Sequence, residues 1–386
     1  LGDKGTKVRV EVLRRNKKSR LDFTITRDVI PVHSVDAAYM VTPETGYIKL
    51  NAFSRTTLEE VQEGIKSLKE QGMQNLIFDV QGNGGGLLYA AKYLADEFLS
   101  DDKLIVYSKG RAQPRVDLTA EKKGLWEKGK LIILTDEYSA SASEILSGAI
   151  QDWDRGLIVG RRSYGKGLVQ RPIDLSDGSQ IRLTIARYYT PSGRFIQKPY
   201  DDVESYRKDL WKRYENGEFM NQDSIKLPDS LKHTTLLKER TVYGGGGIMP
   251  DYFVPLDTTE MTDYFTSIIR GGHLNAFTLT YVDEHRKKME KDYPEFEKFK
   301  TDFSVDQKLI DDLLSYISNE DPELEFNEDE YEISEKLLKL RIKAMIAQNI
   351  WSYGEFYEIY NDANEILQKA VEIIESSEYK KAGLAG

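Results

Sequence analysis

The sequence predicts an α/β fold followed by a helical segment, and three observations carry that reading. Between about residues 35 and 257, short apolar runs of strand length alternate with stretches of helical period, the pattern of a sheet covered by helices. The turn Gln81-Gly82-Asn83-Gly84-Gly85-Gly86 stands between a buried run and a helix, where glycine lets the chain reverse tightly. After about Thr258 glycine thins out and helical spacing continues to the end.

The elements follow in order. Residues 7–13 alternate (Val8, Val10, Val12), Asn16-Lys17-Lys18 turns, and residues 21–26 alternate again; two strands cannot make a domain, so 1–30 reads as the end of a small β domain. Residues 46–50 form a strand, and 57–71 form a helix with Leu58, Val61, Ile65 and Leu68 on one face. Residues 75–80 are a buried strand, and 87–99 a helix after the glycine turn. Next come the strand 131–134, a helix over 141–151 and the strand 157–160, then strands 168–173 and 180–188 around Asp177-Gly178. Residues 199–240 are polar and read as an insertion in a core spanning 31–257. Leu337, Leu340, Ile342, Met345 and Ile346, and again Ile366, Ala370, Val371 and Ile374, are at helical spacing, so 258–386 reads as a helical domain.

Composition narrows the chemistry. A net charge of -10 argues against a general nucleic-acid binder, and no apolar run approaches the roughly 20 residues of a membrane span. Nine acidic residues between Glu320 and Glu335, with no basic one, read as a solvated face. The absence of cysteine excludes thiolate catalysis and Cys-based zinc sites. Only four histidines are present, His33, His233, His273 and His285, and none lies beside the glycine turn or the serine cluster described next.

That cluster is Ser139-Ala140-Ser141-Ala142-Ser143-Glu144, between a strand and a helix. It fits a capped helix start, with Glu144 completing a capping box. It fits a nucleophile too, with its oxyanion facing free helix amides, though the segment alone favours the cap; Gly84-Gly85-Gly86 shifts the balance by offering further N–H groups without side chains in the way. A serine needs a base, and Lys166, between Gly165 and Gly167 just past a buried strand, is the better candidate than any histidine. Residues 160–166 also match a phosphate-binding loop as far as the lysine, but Gly167 stands where Ser or Thr would hold magnesium, and a strand follows where a helix is required.

Taken together, Asp79-Val80-Gln81-Gly82-Asn83-Gly84-Gly85-Gly86, then 139–144, then Gly165-Lys166-Gly167-Leu168-Val169-Gln170 resemble the tail-specific, or C-terminal processing, peptidase family. Residues 183–194 and Gly246-Gly247-Ile248-Met249-Pro250-Asp251 are similar to it too. The resemblance implies a ClpP/crotonase-like core preceded by a PDZ domain, of which 1–30 would be the remnant. It implies Ser141 as nucleophile, Lys166 as general base and Gln170 as the residue orienting it. Ala142 with Gly85 or Gly86 would form the oxyanion hole, and Glu144 would give support nearby. It further implies no cofactor or metal, protein or peptide substrates with accessible C-terminal tails, and export to a periplasm-like space; a homodimer through the helical regions is compatible with it. The other reading is a weak or inactive peptide-binding homologue of the same fold. Gln81 and Gly84 stand where the family usually has arginine and proline, which predicts a looser glycine loop.

Overall fold

The computed structural model describes residues 2–14, 19–30, 32–100 and 102–384, so the turn expected at 16–18 lies outside the described residues. Two compact units result, 1–33 and 34–386. In the first, β1 (Lys7–Val12) and β2 (Leu21–Thr26) pair antiparallel, with Lys7 opposite Thr26 and Val12 opposite Leu21.

The second unit is mixed α/β with a helical C-terminal region. In chain order it runs β3 (Val35–Met40), β4 (Thr45–Leu50), α1 (Thr57–Glu70), β5 (Asn75–Asp79), α2 (Leu88–Asp96), β6 (Leu104–Lys109), β7 (Val116–Thr119), β8 (Lys130–Thr135), α3 (Ala142–Asp152), β9 (Leu157–Gly160), β10 (Leu168–Asp174) and β11 (Gln180–Tyr189). The inserted segment holds α4 (Val203–Arg207), α5 (Asp209–Glu215), β12 (Lys232–Thr234) and, just beyond it, β13 (Thr241–Tyr243). After β14 (Tyr252–Phe253) come α6 (Asp263–Arg270), α7 (His273–Asp292), α8 (Phe296–Asp302), α9 (Gln307–Glu320), α10 (Glu328–Ile350), α11 (Tyr353–Tyr360), α12 (Glu365–Glu375) and α13 (Glu378–Lys381).

The main sheet has the order β14-β9-β8-β5-β4-β3 and is parallel except for the β3–β4 pair. Its central strands read as unbroken apolar runs because both faces are covered. Alternation sends Ile48, Leu50, Leu76, Phe78, Ile133 and Ile158 into one core with Val61, Ile65, Leu94 and Ile145 of α1, α2 and α3. It sends Tyr47, Ile77, Ile132, Leu134, Leu157 and Val159 into another with Ile366, Leu367, Ala370, Ile373 and Tyr379 of α12 and α13. The helical domain expected over 258–386 is therefore divided. Helices α6 to α11 build a core of their own around Phe277, Phe299, Ile310 and Ile342, while α12 and α13 return to close the sheet face that α1–α3 leave open. A second, antiparallel sheet of order β10-β11-β6-β7 stands beside the first. Among the described residues no helix is long and apolar enough to cross a membrane.

Candidate active site

Ser141 joins β8 to α3 at φ 57 and ψ -109, a backbone conformation that a residue with a Cβ adopts only when its surroundings force it. Those surroundings are hydrogen bonds. Ser139 Oγ donates to the Val80 carbonyl (2.8 Å), Ala140 N–H and Ser143 Oγ both donate to the Asn83 carbonyl (3.0 and 2.9 Å), and Ser141 N–H donates to Glu144 Oε2 (2.8 Å). Helix α3 is buried along its whole length, so Ser141 stands at the positive end of a helix dipole shielded from water.

The glycine turn after β5 presses on this corner. Gly82 N–H donates to the Asp136 carboxylate at 2.9 Å, and buried Asn83 donates from Nδ2 to the Leu50 carbonyl (2.9 Å). These anchors pin the loop that Gln81 and Gly84 were expected to loosen. Gly85 and Gly86 have φ of 98 and 151, and both require glycine. A Cβ at Gly85 would lie 2.8 Å from Ser141 Cβ and 2.9 Å from Ala142 N, and one at Gly86 would lie 2.1 Å from the Phe53 carbonyl oxygen. Gly85 N–H is spent on Asn83 Oδ1 (2.8 Å). The N–H groups of Gly86 and Ala142 donate no such bond among the described residues, and both residues line the cleft.

Lys166 follows β9 on a loop fastened to the serine corner by one carboxylate. Glu144 is fully buried and accepts four bonds, from Ser141 N–H (2.8 Å), Ser163 Oγ (2.6 Å), Gly165 N–H (2.6 Å) and Lys166 N–H (2.8 Å). Burial pushes its carboxyl pKa up, and these donors pull against that shift. The buried Tyr188 hydroxyl lies against the carbonyls of both Ser141 (3.2 Å) and Lys166. So the backbones of the expected nucleophile and base are held to each other twice.

A cleft of about 530 Å³ brings together Ser141, Ala142, Lys166, Gln170, Gly85 and Gly86, with Leu88, Ile145, Leu168 and Tyr188 as apolar wall and Gln180 and Arg182 at the β10–β11 ribbon. Glu144 lies beneath it, not in it. Among the described residues no hydrogen bond joins the Ser141 hydroxyl to Lys166 Nζ, and none joins Gln170 to Lys166; Gln170 sits at a bulge in β10. No histidine lines the cleft: His273 pairs with Asp321 at 3.1 Å, and His285 stacks on Tyr281. Gly167 leads into β10, so the phosphate-loop alternative lacks its helix. Ser163 and Tyr188 escape the sequence reading. The block 183–194 was the available signal for Tyr188, but nothing in it singled out that one residue.

Residues 44–204 match peptidase family S41, and residues 264–354 match a family of unknown function (DUF8443). A carboxyl-terminal-processing protease of Synechocystis sp. is 38% identical over 200 residues, which cover 51% of this chain and 46% of that protein. The carboxy-terminal processing protease CtpB of Bacillus subtilis is 33% identical over 201 residues, covering 51% and 41%. The chain thus spans about half the length of the curated relatives it matches. Among solved structures, a photosystem II D1 C-terminal processing protease aligns with a TM-score of 0.41 and 26% identity, covering 67% of this chain and 58% of that one.

Proposed function

Because the chain carries a peptidase family S41 domain at residues 44–204, we propose that it is a serine endopeptidase that cleaves protein or peptide substrates near accessible C-terminal tails, using Ser141 and Lys166. The observation that supports this most is the convergence of a strained serine, a lysine and two unengaged N–H groups on one cleft. In this reading neutral Lys166 takes the proton as Ser141 Oγ attacks the scissile carbonyl carbon, and the Ala142 and Gly86 N–H groups hold the oxyanion. Lys166 then protonates the leaving amine, and water, deprotonated by the same amine, hydrolyses the acyl ester. Gln170 orients Lys166 once a substrate closes the pair. The chemistry calls for no metal or cofactor.

The same reading takes the main sheet with α1–α3 as a ClpP/crotonase-like core and 1–30 as the end of a PDZ domain. It places the protein in an exported, periplasm-like compartment and allows a homodimer through the helical regions. The test is cleavage of a fluorogenic peptide together with labelling by a fluorophosphonate. Wild type should cleave and be labelled, Ser141→Ala should do neither, and Lys166→Ala should lose about 10²–10⁴-fold in kcat. Full activity in Lys166→Ala would remove the lysine from the mechanism. Peptide binding without turnover in wild type would favour an inactive homologue.

A further inference from the structure

Loop 161–167 has no regular structure of its own, so its backbone groups must be satisfied from outside. Part of that comes from the core, through Glu144 and through the Ser139 carbonyl, which accepts Tyr164 N–H at 3.0 Å. Two further carbonyls of the loop are held from the inserted segment. Arg213 of α5 donates from Nη2 to the Arg162 carbonyl (2.7 Å) and from Nη1 to the Ser163 carbonyl (3.1 Å). Its Nε donates to Glu218 Oε1 (2.7 Å), and the same carboxylate takes Arg162 Nε (2.8 Å) and Nη2 (2.7 Å). Arg213 and Glu218 are only 4% and 7% exposed, so a planar, charge-assisted fork is fixed where water cannot compete for it.

A second tie runs in parallel. Lys198 Nζ pairs with Asp209 of α5 (2.9 Å) and lies over the rings of Tyr164 and Tyr206, 3.7 and 4.5 Å from their centroids. Its own N–H donates to the Gly165 carbonyl at 3.0 Å. The far end of the insertion is fastened just past the end of α3, where Asp154 accepts Leu237 and Lys238 N–H (3.0 and 2.8 Å) and Arg240 Nε (2.7 Å). The segment therefore bridges the lysine loop and the back of the helix that begins at Ser141.

Resting on the serine–lysine reading, we propose that Arg213, through its bonds to the Arg162 and Ser163 carbonyls, is a positioning residue that sets the Lys166 loop at the distance the reaction needs. A polar excursion with no such role has no reason to bury a guanidinium on two carbonyls just ahead of the base. Arg213 does not line the cleft, and the loop whose carbonyls it holds is the one that carries Lys166. Arg213→Met leaves Glu218 paired with Arg162 and strands no charge, and Arg213→Lys keeps the charge but not the fork.

The experiment is the second-order rate of fluorophosphonate labelling, with peptide kcat and KM, for wild type, Arg213→Met, Arg213→Lys, Lys166→Ala and the Arg213→Met/Lys166→Ala double variant. Misplacing the base predicts labelling and kcat down by about 10- to 100-fold in Arg213→Met with KM little changed, and a partial recovery in Arg213→Lys. The double variant should label no more slowly than Lys166→Ala alone. An equal further loss in the double variant, or a wild-type rate in Arg213→Met, overturns the proposal. Should Arg213→Met fail to fold, Arg213→Lys in the same two backgrounds decides by the same non-additivity. Unslowed labelling of Lys166→Ala, or no labelling of wild type, would instead refute the serine–lysine reading itself, and this inference with it.

Discussion

Gly85 concentrates the geometric demands of the site in one residue. Its φ of 98 is unfavourable for any L side chain, and a methyl there would meet the Ala140 carbonyl oxygen at 2.7 Å and occupy the space beside Ala142 N. We expect Gly85→Ala to cost about 1–3 kcal/mol of stability through backbone strain. It should also remove about 10²–10³-fold in kcat by displacing the proposed oxyanion donor at Ala142, while KM for a short peptide changes less. Urea unfolding and steady-state kinetics on the same preparation separate the two effects. Glu144 makes the complementary point about legibility. Its spacing from Ser141 marks a helix cap in the sequence, and it does accept Ser141 N–H. That it also accepts Gly165 and Lys166 N–H depends on one loop, 21 and 22 residues away, folding back onto it, and no local pattern encodes that.

At the scale of elements, what could be read was set by burial. Strands β5, β8 and β9 are covered on both faces, so each appears as an apolar run and was located to within a residue or so. Strand β3 is a largely half-exposed edge, and the four-residue β7 carries little pattern; neither rises above the background of a single sequence. Helix α12 was visible as a helix, but its period names a buried face without naming what lies against it. The structure places that face on β8, and this yields a direct prediction. Ile373 is fully buried there, so Ile373→Ala should lower unfolding free energy by about 2–5 kcal/mol. Since α12 lies on the sheet face away from α3, kcat/KM measured well below the unfolding transition should stay within about twofold, as for independent sites. A large loss of kcat in a fully folded Ile373→Ala sample would mean that the two faces of the sheet are coupled.

The whole molecule holds several carboxyls in its interior, and their linkage to folding has a definite sign. Burial raises the pKa of Glu144, Asp136 and Asp251 above the ordinary carboxylate range, chiefly by desolvation. In the window between the unfolded and folded values, the folded chain keeps protons that the unfolded chain has released. Each such group therefore lends its full stabilisation below the unfolded value and loses it as pH rises through the folded one. The exposed Asp177, Asp202 and Asp257 are shifted down, which acts in the opposite sense but weakly, because solvent screens them. The share of Glu144 can be isolated by difference. Glu144→Gln keeps the shape and removes the titration, at the cost of setting an amide among four donors, so it should be less stable than wild type at every pH. The gap should narrow as pH rises above 4.5, the ordinary value for glutamate, because Asp136 and Asp251 titrate alike in both proteins and only wild type also loses the Glu144 contribution. Urea midpoints for both proteins at half-unit steps from pH 4 to 8 measure that gap. A gap that widens with pH would mean that the four donors outweigh burial and that Glu144 enters the folded site already ionised.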